Sequence, residues 1–492
     1  MIDKLKIIAS DTAVYGLTTI TSRFLTFLLT PFYTNYLSPS ELGFVTYIHL
    51  AYVILLTIIS FGLENAFFRF FPHYNKRKVF RNSFFLMLIN SLIISLIIYF
   101  LNADIALLLN GGEVVSEMIK YESIVLFFDS LLMIPFAFLR IERKARLFGI
   151  YNVIKVFISI AFNYLFIAVF RWGGESVFMA QSIASVLTFL LVLPTLIKGL
   201  SLKGNDSSLN DDFDLLKGGL LKSMLRFGVP TIPASLAVLL LRSGDHFLIK
   251  EILGPVELAM YSTSYKLGIP MMMFVTAFDQ AWRPYYMNHF KDENSKEFFS
   301  KIFVVFITLS SFLFLAISLF IEYVVQIPFL GGKFINPIYW EGLEIIPYII
   351  GAYLLLGVFN FLAMGVNITG NTKYLPLSVG IAALFNIIFN SLYLHEYGYM
   401  ISAYLTTISY LISVIVLFYF SNKYYKLNIN WLKVISLLLS TITIYLIVTS
   451  FDFNKVFVEI IIKCLALIVF ISSVFVFKII RINDLLKVIA RK

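Results

Sequence analysis

Apolar stretches of about 20 residues or more recur from one end of the chain to the other, each closed by a short polar break. At ~1.5 Å of rise per residue, such a stretch spans a hydrocarbon core of ~30 Å as a helix. The pattern predicts fourteen spans, at 12–35, 44–70, 82–102, 117–140, 150–170, 176–198, 222–248, 257–283, 301–322, 343–367, 373–394, 398–420, 432–450 and 455–478. Two of the breaks are alike. "YLSPSELG" at 36–43 and "ILGPVELA" at 252–259 each place a Pro and a Glu between two spans. The Pro halts one helix, and the Glu sits where a new helix N-terminus favours negative charge.

Laying residue 37 on residue 253 aligns "LSPSELGFVTYIHLAYVILL" with "LGPVELAMYSTSYKLGIPMM", an offset of 216, and both copies reach a basic exit at Arg69 and Arg283. Further on, "ISIAFNYLFI" at 158–167 faces "IAALFNIIFN" at 381–390, an offset of 223. Six spans are therefore repeated as a block. An even number of spans gives both copies the same orientation, with a symmetry axis along the membrane normal, which is an arrangement of transporters. The most polar stretch, "SLKGNDSSLNDDFDLLKGG" at 201–219, is the natural hinge. The expected fold is an all-α polytopic membrane protein of 14 transmembrane helices. It has an N-terminal six-helix bundle at 1–200, a linker at 201–219, a second six-helix bundle at 220–422, and two extra helices with a tail at 423–492.

Composition strengthens this reading. Of 492 residues, 59% are hydrophobic and only 14% are charged, against about 25% charged in soluble domains. The mean hydropathy is +0.87. A soluble fold is excluded. The one cysteine, Cys464, allows no disulfide within the chain and argues against a thiolate metal site. "MIDKLKIIAS" leads into an apolar stretch too long for a signal-peptide core, so it is read as a retained first span. The net charge of +10 does not point to nucleic acid, because its distribution is a topology signal. With a cytoplasmic N-terminus, 27 Lys and Arg fall in inside segments, and only Arg171, Lys250, Lys333 and Lys455 fall outside. That asymmetry puts both termini in the cytoplasm.

Eight cations remain in or at the edge of spans, and three carry weight: Arg23 on span one, Arg242 on span seven and Lys266 on span eight. A cation at the centre of a spanning helix costs about 2.5–3.5 kcal/mol, so it is expected to face a cavity or a partner. Together the three would line a basic cavity for an anionic substrate. The plainer alternative is structural pairing, Arg242 with Asp245 for example, or snorkelling. The intramembrane acids Glu64, Asp129, Asp245 and Asp279 are candidates for coupling to a Na⁺ or H⁺ gradient. Pro230, Pro233 and Pro270 are expected to bend spans seven and eight. The chain has no G-x-x-x-x-G-K-[ST] loop, no zincin spacing and no long extramembrane segment, so enzyme readings fall behind transport and no cofactor is implied.

The stretches "VYGLTTITSRFLTFLLTPFYTNYLSPSELGFVTYIHL", "FGLENAFFRFF" and "RFGVPTIPASLAVLLLRSGDHFLIKEILGPVELAMYSTSYKLG" resemble the polysaccharide biosynthesis proteins that act as oligosaccharide flippases. These belong to the superfamily of multidrug, oligosaccharidyl-lipid and polysaccharide exporters. The resemblance implies a bacterial cytoplasmic-membrane protein that moves undecaprenyl-diphosphate-linked repeat units outward for O-antigen, capsule or exopolysaccharide. Polymerase and chain-length regulator proteins are its implied partners. In related lipid flippases an arginine on span one lies in the central cavity, the position of Arg23, and Arg242 and Lys266 are carried over more loosely. An extra helix pair forms a groove for the prenyl tail in such relatives, which gives spans thirteen and fourteen a reason. The alternatives are a multidrug or cation antiporter, a peptidoglycan-precursor flippase, and a non-transporting scaffold of a polysaccharide assembly complex.

Overall fold

A computed structural model describes residues 21, 24–202, 219–329, 331–451 and 455–476. The chain forms two compact units, Met1–Ser262 and Thr263–Lys492. In the first unit the helices are α1 (Leu29–Tyr36), α2 (Pro39–Ile59), α3 (Leu63–Phe70), α4 (Lys76–Phe100), α5 (Asn102–Leu108) and α6 (Glu113–Ile141). They are followed by α7 (Ala145–Asn163, continued by a π-helical turn Tyr164–Val169), α8 (Glu175–Leu200), α9 (Leu220–Gly228) and α10 (Ile232–Ile252). Helix α11 (Pro255–Lys266) begins in the first unit and ends in the second. The second unit continues with α12 (Ile269–His289), α13 (Ser295–Gln326), a short hairpin of β1 (Pro328–Phe329) and β2 (Gly332–Lys333), and a 3₁₀ segment Pro337–Ile345. It closes with α14 (Ile346–Ile368), α15 (Tyr374–Tyr397), α16 (Met400–Tyr424), α17 (Trp431–Thr449) and α18 (Val456–Val476).

Among the described residues, twelve helices are long and apolar enough to cross a membrane, and they coincide with twelve of the predicted spans. Residues 12–20, 22 and 23 of span one lie outside the described residues. Span eight is two helices, α11 and α12, separated at Leu267 and Gly268. The side chains of Phe100, Leu108 and Leu432 are among the most exposed, at 74–82%. Such an apolar exterior is costly in water and solvated by lipid tails. The chain is an integral membrane protein.

Local chemistry sets the helix ends. Ser38 caps α2: it accepts from the Glu41 N–H at 3.3 Å, and the Glu41 carboxylate accepts from the Ser38 N–H at 2.9 Å. This capping box, with Pro39 in the first turn, is what "YLSPSELG" encodes. Glu41 also accepts from the Gly174 N–H at 3.0 Å, so one carboxylate serves the starts of α2 and α8. The second copy substitutes Gly254, at φ +109°, for Ser38 ahead of Pro255.

In the first unit, Phe67, Phe71, Phe80 and Phe138 form a buried edge-to-face cluster joining α3, α4 and α6. In the second unit, α14 and α16 approach closely where Gly365 meets Ser421. The Ser421 hydroxyl donates to the Leu362 carbonyl at 2.8 Å, and Thr407 donates to the Tyr348 carbonyl at 2.8 Å. Small residues permit that approach, and side-chain donors hold it in a medium without water. Helices α17 and α18 pack on each other and on α13. Trp431 meets Phe303 and Phe418 edge-on, and the buried Lys463 pairs with Glu459 at 2.6 Å over the Tyr323 ring.

Asn163 and Asn386, aligned at the offset of 223, are both fully buried. Asn163 accepts from the Tyr33 hydroxyl at 3.0 Å, and Asn386 donates to Thr406 at 3.3 Å.

Candidate functional site

Within the first unit, α10 packs on α2 and α9 packs on α3, so spans two and seven meet along a seam. At one end Gly43 lies against Pro255, and a Cβ on Gly43 would collide with the Pro255 carbonyl oxygen. Close approach of two backbones is the reason for glycine here. One turn on, the hydroxyls of Thr46 and Ser262 are 3.4 Å apart. Their separation of 216 residues equals the offset of the sequence alignment. Beside them the Tyr47 hydroxyl donates to Glu251 at 2.8 Å, and Lys250 pairs with Glu251 at 3.0 Å. The Lys250 ammonium lies 4.8 Å from the Tyr47 ring centre, and the Tyr47 ring also meets Phe247 edge-on. The sequence reading put Lys250 in an outer connection. It lies instead in the last turn of α10 with its side chain buried, held by two rings, a carboxylate and the helix C-terminus.

The other end of the seam is built differently. Span two breaks at Phe61 and Gly62, at φ +47° and +64°, and span seven breaks at a 3₁₀ turn Val229–Thr231. Gly62 and Gly228 touch through their backbones, and a Cβ on either would overlap the other segment's carbonyl oxygens. Asn65 donates to Thr231 at 3.3 Å. The Phe227 ring stands edge-on to Phe70 and lies 4.3 Å below the Arg69 guanidinium. Pro230 lies inside the 3₁₀ turn, while Pro233 and Pro270 lie in the first turns of α10 and α12. The breaks expected at these prolines are therefore helix starts, where a missing N–H costs nothing.

The predicted site residues that the structure describes lie on α3, α6, α10, α11 and α12. Arg23 lies outside the described residues. Arg242 is exposed on α10 in the first unit, and Lys266 is half-buried at the end of α11 in the second. Asp279 is half-buried on α12. Glu64 is ion-paired with Arg140, whose guanidinium also lies over the Phe68 ring. Asp129 pairs with Lys155 at 2.5 Å and accepts from the Tyr52 hydroxyl at 2.7 Å. Asp245 is 1% exposed; it accepts from the His246 N–H at 2.9 Å and the Tyr261 hydroxyl at 2.6 Å, with His246 Nδ1 2.8 Å away. Of the four acids, Glu64, Asp129 and Asp245 are thus tied into local networks.

One acid escaped the sequence reading. Glu122 lies seven residues before Asp129 on α6, two turns away on the same face, and is 5% exposed. That i, i+7 spacing of two carboxylates in one apolar span was the available signal. His49 Nδ1 of α2 lies 3.5 Å from its Oε1.

A family profile described as "Polysaccharide biosynthesis protein" matches residues 8–290. No curated protein sequence matches the chain. Among solved structures, the chain resembles one titled "Lipid II flippase MurJ, inward closed conformation", with a TM-score of 0.71, 17% identity, and coverage of 95% of this chain and 100% of that one. It also resembles an outward-facing multidrug resistance MATE family transporter of the MOP superfamily, at a TM-score of 0.56, 16% identity, and coverage of 84% and 94%. A third is a MOP superfamily transporter from Pyrococcus furiosus described by the reverse polarity of its binding pocket, at 0.54, 15% identity, and coverage of 84% and 95%. At these identities the likeness is one of fold.

Proposed function

The chain belongs to the polysaccharide biosynthesis protein family, and from that premise we propose that it is a flippase carrying undecaprenyl-diphosphate-linked oligosaccharide units across the bacterial cytoplasmic membrane. Family and fold are those of membrane transporters, not enzymes. One observation favours a lipid carrier over a drug or cation as the substrate. The match to the lipid flippase leaves about 25 of 492 residues uncovered, fewer than the 70 from 423 to the C-terminus, so it takes in at least part of the extra helix pair. The match to the multidrug transporter leaves about 80, enough to omit the pair. A pair of helices added to a twelve-span transporter and packed on α13 offers apolar surface for a prenyl chain.

The diphosphate head needs cations in a sheltered place, and Arg23, Arg242 and Lys266 are the proposed donors. Both termini are cytoplasmic in this reading, the substrate moves outward by alternating access, and polymerase and chain-length regulator are the downstream partners. The fold likeness to a lipid II flippase supports a second reading, a peptidoglycan-precursor carrier with the same prenyl diphosphate.

The test is leaflet-resolved analysis of lipid-linked sugars in cells lacking the protein. Accumulation of oligosaccharide-linked carrier on the cytoplasmic leaflet is expected, and normal delivery to the outer leaflet overturns the reading. Accumulation of lipid II instead selects the second reading. Arg23→Ala combined with Arg242→Ala, in protein that still reaches the membrane, is expected to abolish complementation. A scaffold would survive that change, and a drug antiporter would be exposed by resistance to cationic dyes.

A further inference from the structure

A carboxylate inside a membrane protein needs a partner for its charge and donors for its oxygens. Glu122 has little of either. Both of its oxygens are buried without a hydrogen-bond partner. It borders a cavity of about 110 Å³ whose other walls include Ile48, Leu55, Ile105 and Leu126. The nearest ionisable group is His49, 3.5 Å from Oε1, and 46% of the His49 side chain is accessible.

The other charges nearby are already matched. On α6 itself, Asp129 is neutralised by Lys155 of α7, and its second oxygen takes the Tyr52 hydroxyl of α2. His49, Asp129 and Lys155 are the charged groups that act on Glu122. The faces of α4 and α5 turned to the cavity are apolar, at Ile98, Ile105 and Leu109. The ionisable groups of α3 and α8 lie near the helix ends.

We propose that Glu122 is a proton-binding site of the first unit, loaded and unloaded through His49. The exchange balances. An imidazolium at His49 gives its proton to the Glu122 carboxylate, leaving neutral imidazole beside a neutral carboxyl, and His49 then takes a new proton from water on its accessible side; unloading is the reverse. A metal cation suits the site poorly. Hard cations take about six oxygen ligands, whereas the side-chain oxygens lining the cavity besides those of Glu122 are the hydroxyls of Tyr47, Tyr52 and Ser123. Among the described residues no group of three His, Cys, Asp or Glu could hold a metal ion.

The placement gives the proton something to act on. The contact joins α6 to α2, the helix that carries the Gly43 end of the seam, and a proton on Glu122 with His49 neutral removes the attraction between an imidazolium and a carboxylate. Proton binding stands without the flippase reading, and only its use to drive export rests on it.

The experiment is infrared difference spectroscopy of the purified full chain in lipid nanodiscs, titrated in pH, read at the C=O stretch of a protonated carboxyl. A titrating buried-carboxyl band is expected, lost in Glu122→Gln and retained in Asp129→Asn. In His49→Phe the band should persist with a displaced midpoint. No titrating band in the native protein, or a band that survives Glu122→Gln, overturns the proposal whatever the fold of the variants. A band erased by Na⁺ but not by choline at fixed pH assigns the site to a metal cation and overturns it as well. An unmoved midpoint in His49→Phe overturns the route through His49. Transport plays no part in this readout, so its failure is separate from a failure of the flippase reading.

Discussion

The two ends of the seam between spans two and seven solve the same packing problem with different materials. At the Gly43 end α2 is unbroken from Pro39, and it meets the last turn of α10 and the start of α11 on either side of the turn at Gly254. Beyond the backbone approach of Gly43 and Pro255, contact is made by side chains: Tyr47 on Glu251, Lys250 between two rings, and Thr46 on Ser262. At the Gly62 end both helices are broken, and contact is made by backbone at Gly62 and Gly228 with few polar side-chain contacts. A joint made largely by side chains can part by exchanging side-chain partners. A joint between two breaks already contains the bendable points, and its backbones have no side chains to exchange. The difference predicts that any opening of the seam separates the Gly43 end and pivots at the Gly62 end.

The strongest way to break this comparison is Gly62→Val. A β-branched residue at φ +64° costs on the order of 1–3 kcal/mol from backbone strain alone. Its Cβ would also displace the Gly228 carbonyl, which no rotamer can avoid. A large loss of thermal stability in detergent is expected. Near-native stability would mean that the two breaks do not bear on each other.

Gly43→Val is the next in size and differs in kind. Gly43 has no left-handed backbone to strain, so the added side chain acts only across the seam, against Pro255. The expected result is a protein that folds with this end pushed apart. Two engineered disulfides read it, in a background with the single native Cys464 replaced by Ser: Thr46→Cys with Ser262→Cys at one end, and Asn65→Cys with Thr231→Cys at the other. The side-chain tips of the two pairs are 3.4 Å and 3.3 Å apart in the native protein, and a disulfide forms where the Cβ atoms come within about 4.5 Å. Gly43→Val should abolish the first cross-link and spare the second. Loss of both together would show that the seam moves as one piece.

The elements visible in the sequence are those fixed by local pattern. Apolar runs predict the helices, Pro39 and Glu41 mark a helix start, and the alignment offset of 216 makes Thr46 and Ser262 repeat counterparts without saying that they touch. What stayed hidden depends on how each helix is rotated against its neighbours. Nothing local says that His49 turns toward Glu122, or that Lys250 turns inward between Phe44 and Tyr47 when the charge pattern places it outside. Glu64 and Asp129 read as unpaired intramembrane acids because Arg140 and Lys155 stand 76 and 26 residues away in the chain. The cavity proposed from Arg23, Arg242 and Lys266 is the same kind of claim, since it depends on helix rotation that a linear pattern does not carry.

The finest test separates polar clamping from simple packing at the Gly43 end. Tyr47→Phe removes the hydroxyl bonded to Glu251 at 2.8 Å but keeps the ring, so the contacts with Lys250 and Phe247 remain. A hydrogen bond to a half-exposed carboxylate is worth about 1 kcal/mol, because water competes for the acceptor. Asn65→Ala at the other end removes a longer, exposed bond of 3.3 Å, and about 0.5 kcal/mol or less is expected. If side chains hold the separating end, Tyr47→Phe should speed thiol labelling of Thr46→Cys about fivefold, the factor that 1 kcal/mol sets at 25 °C. Asn65→Ala should leave that labelling unchanged. Equal, small effects from both would assign the hold at the Gly43 end to the close approach of Gly43 and Pro255, making its polar residues bystanders to a backbone contact like the one at the pivot.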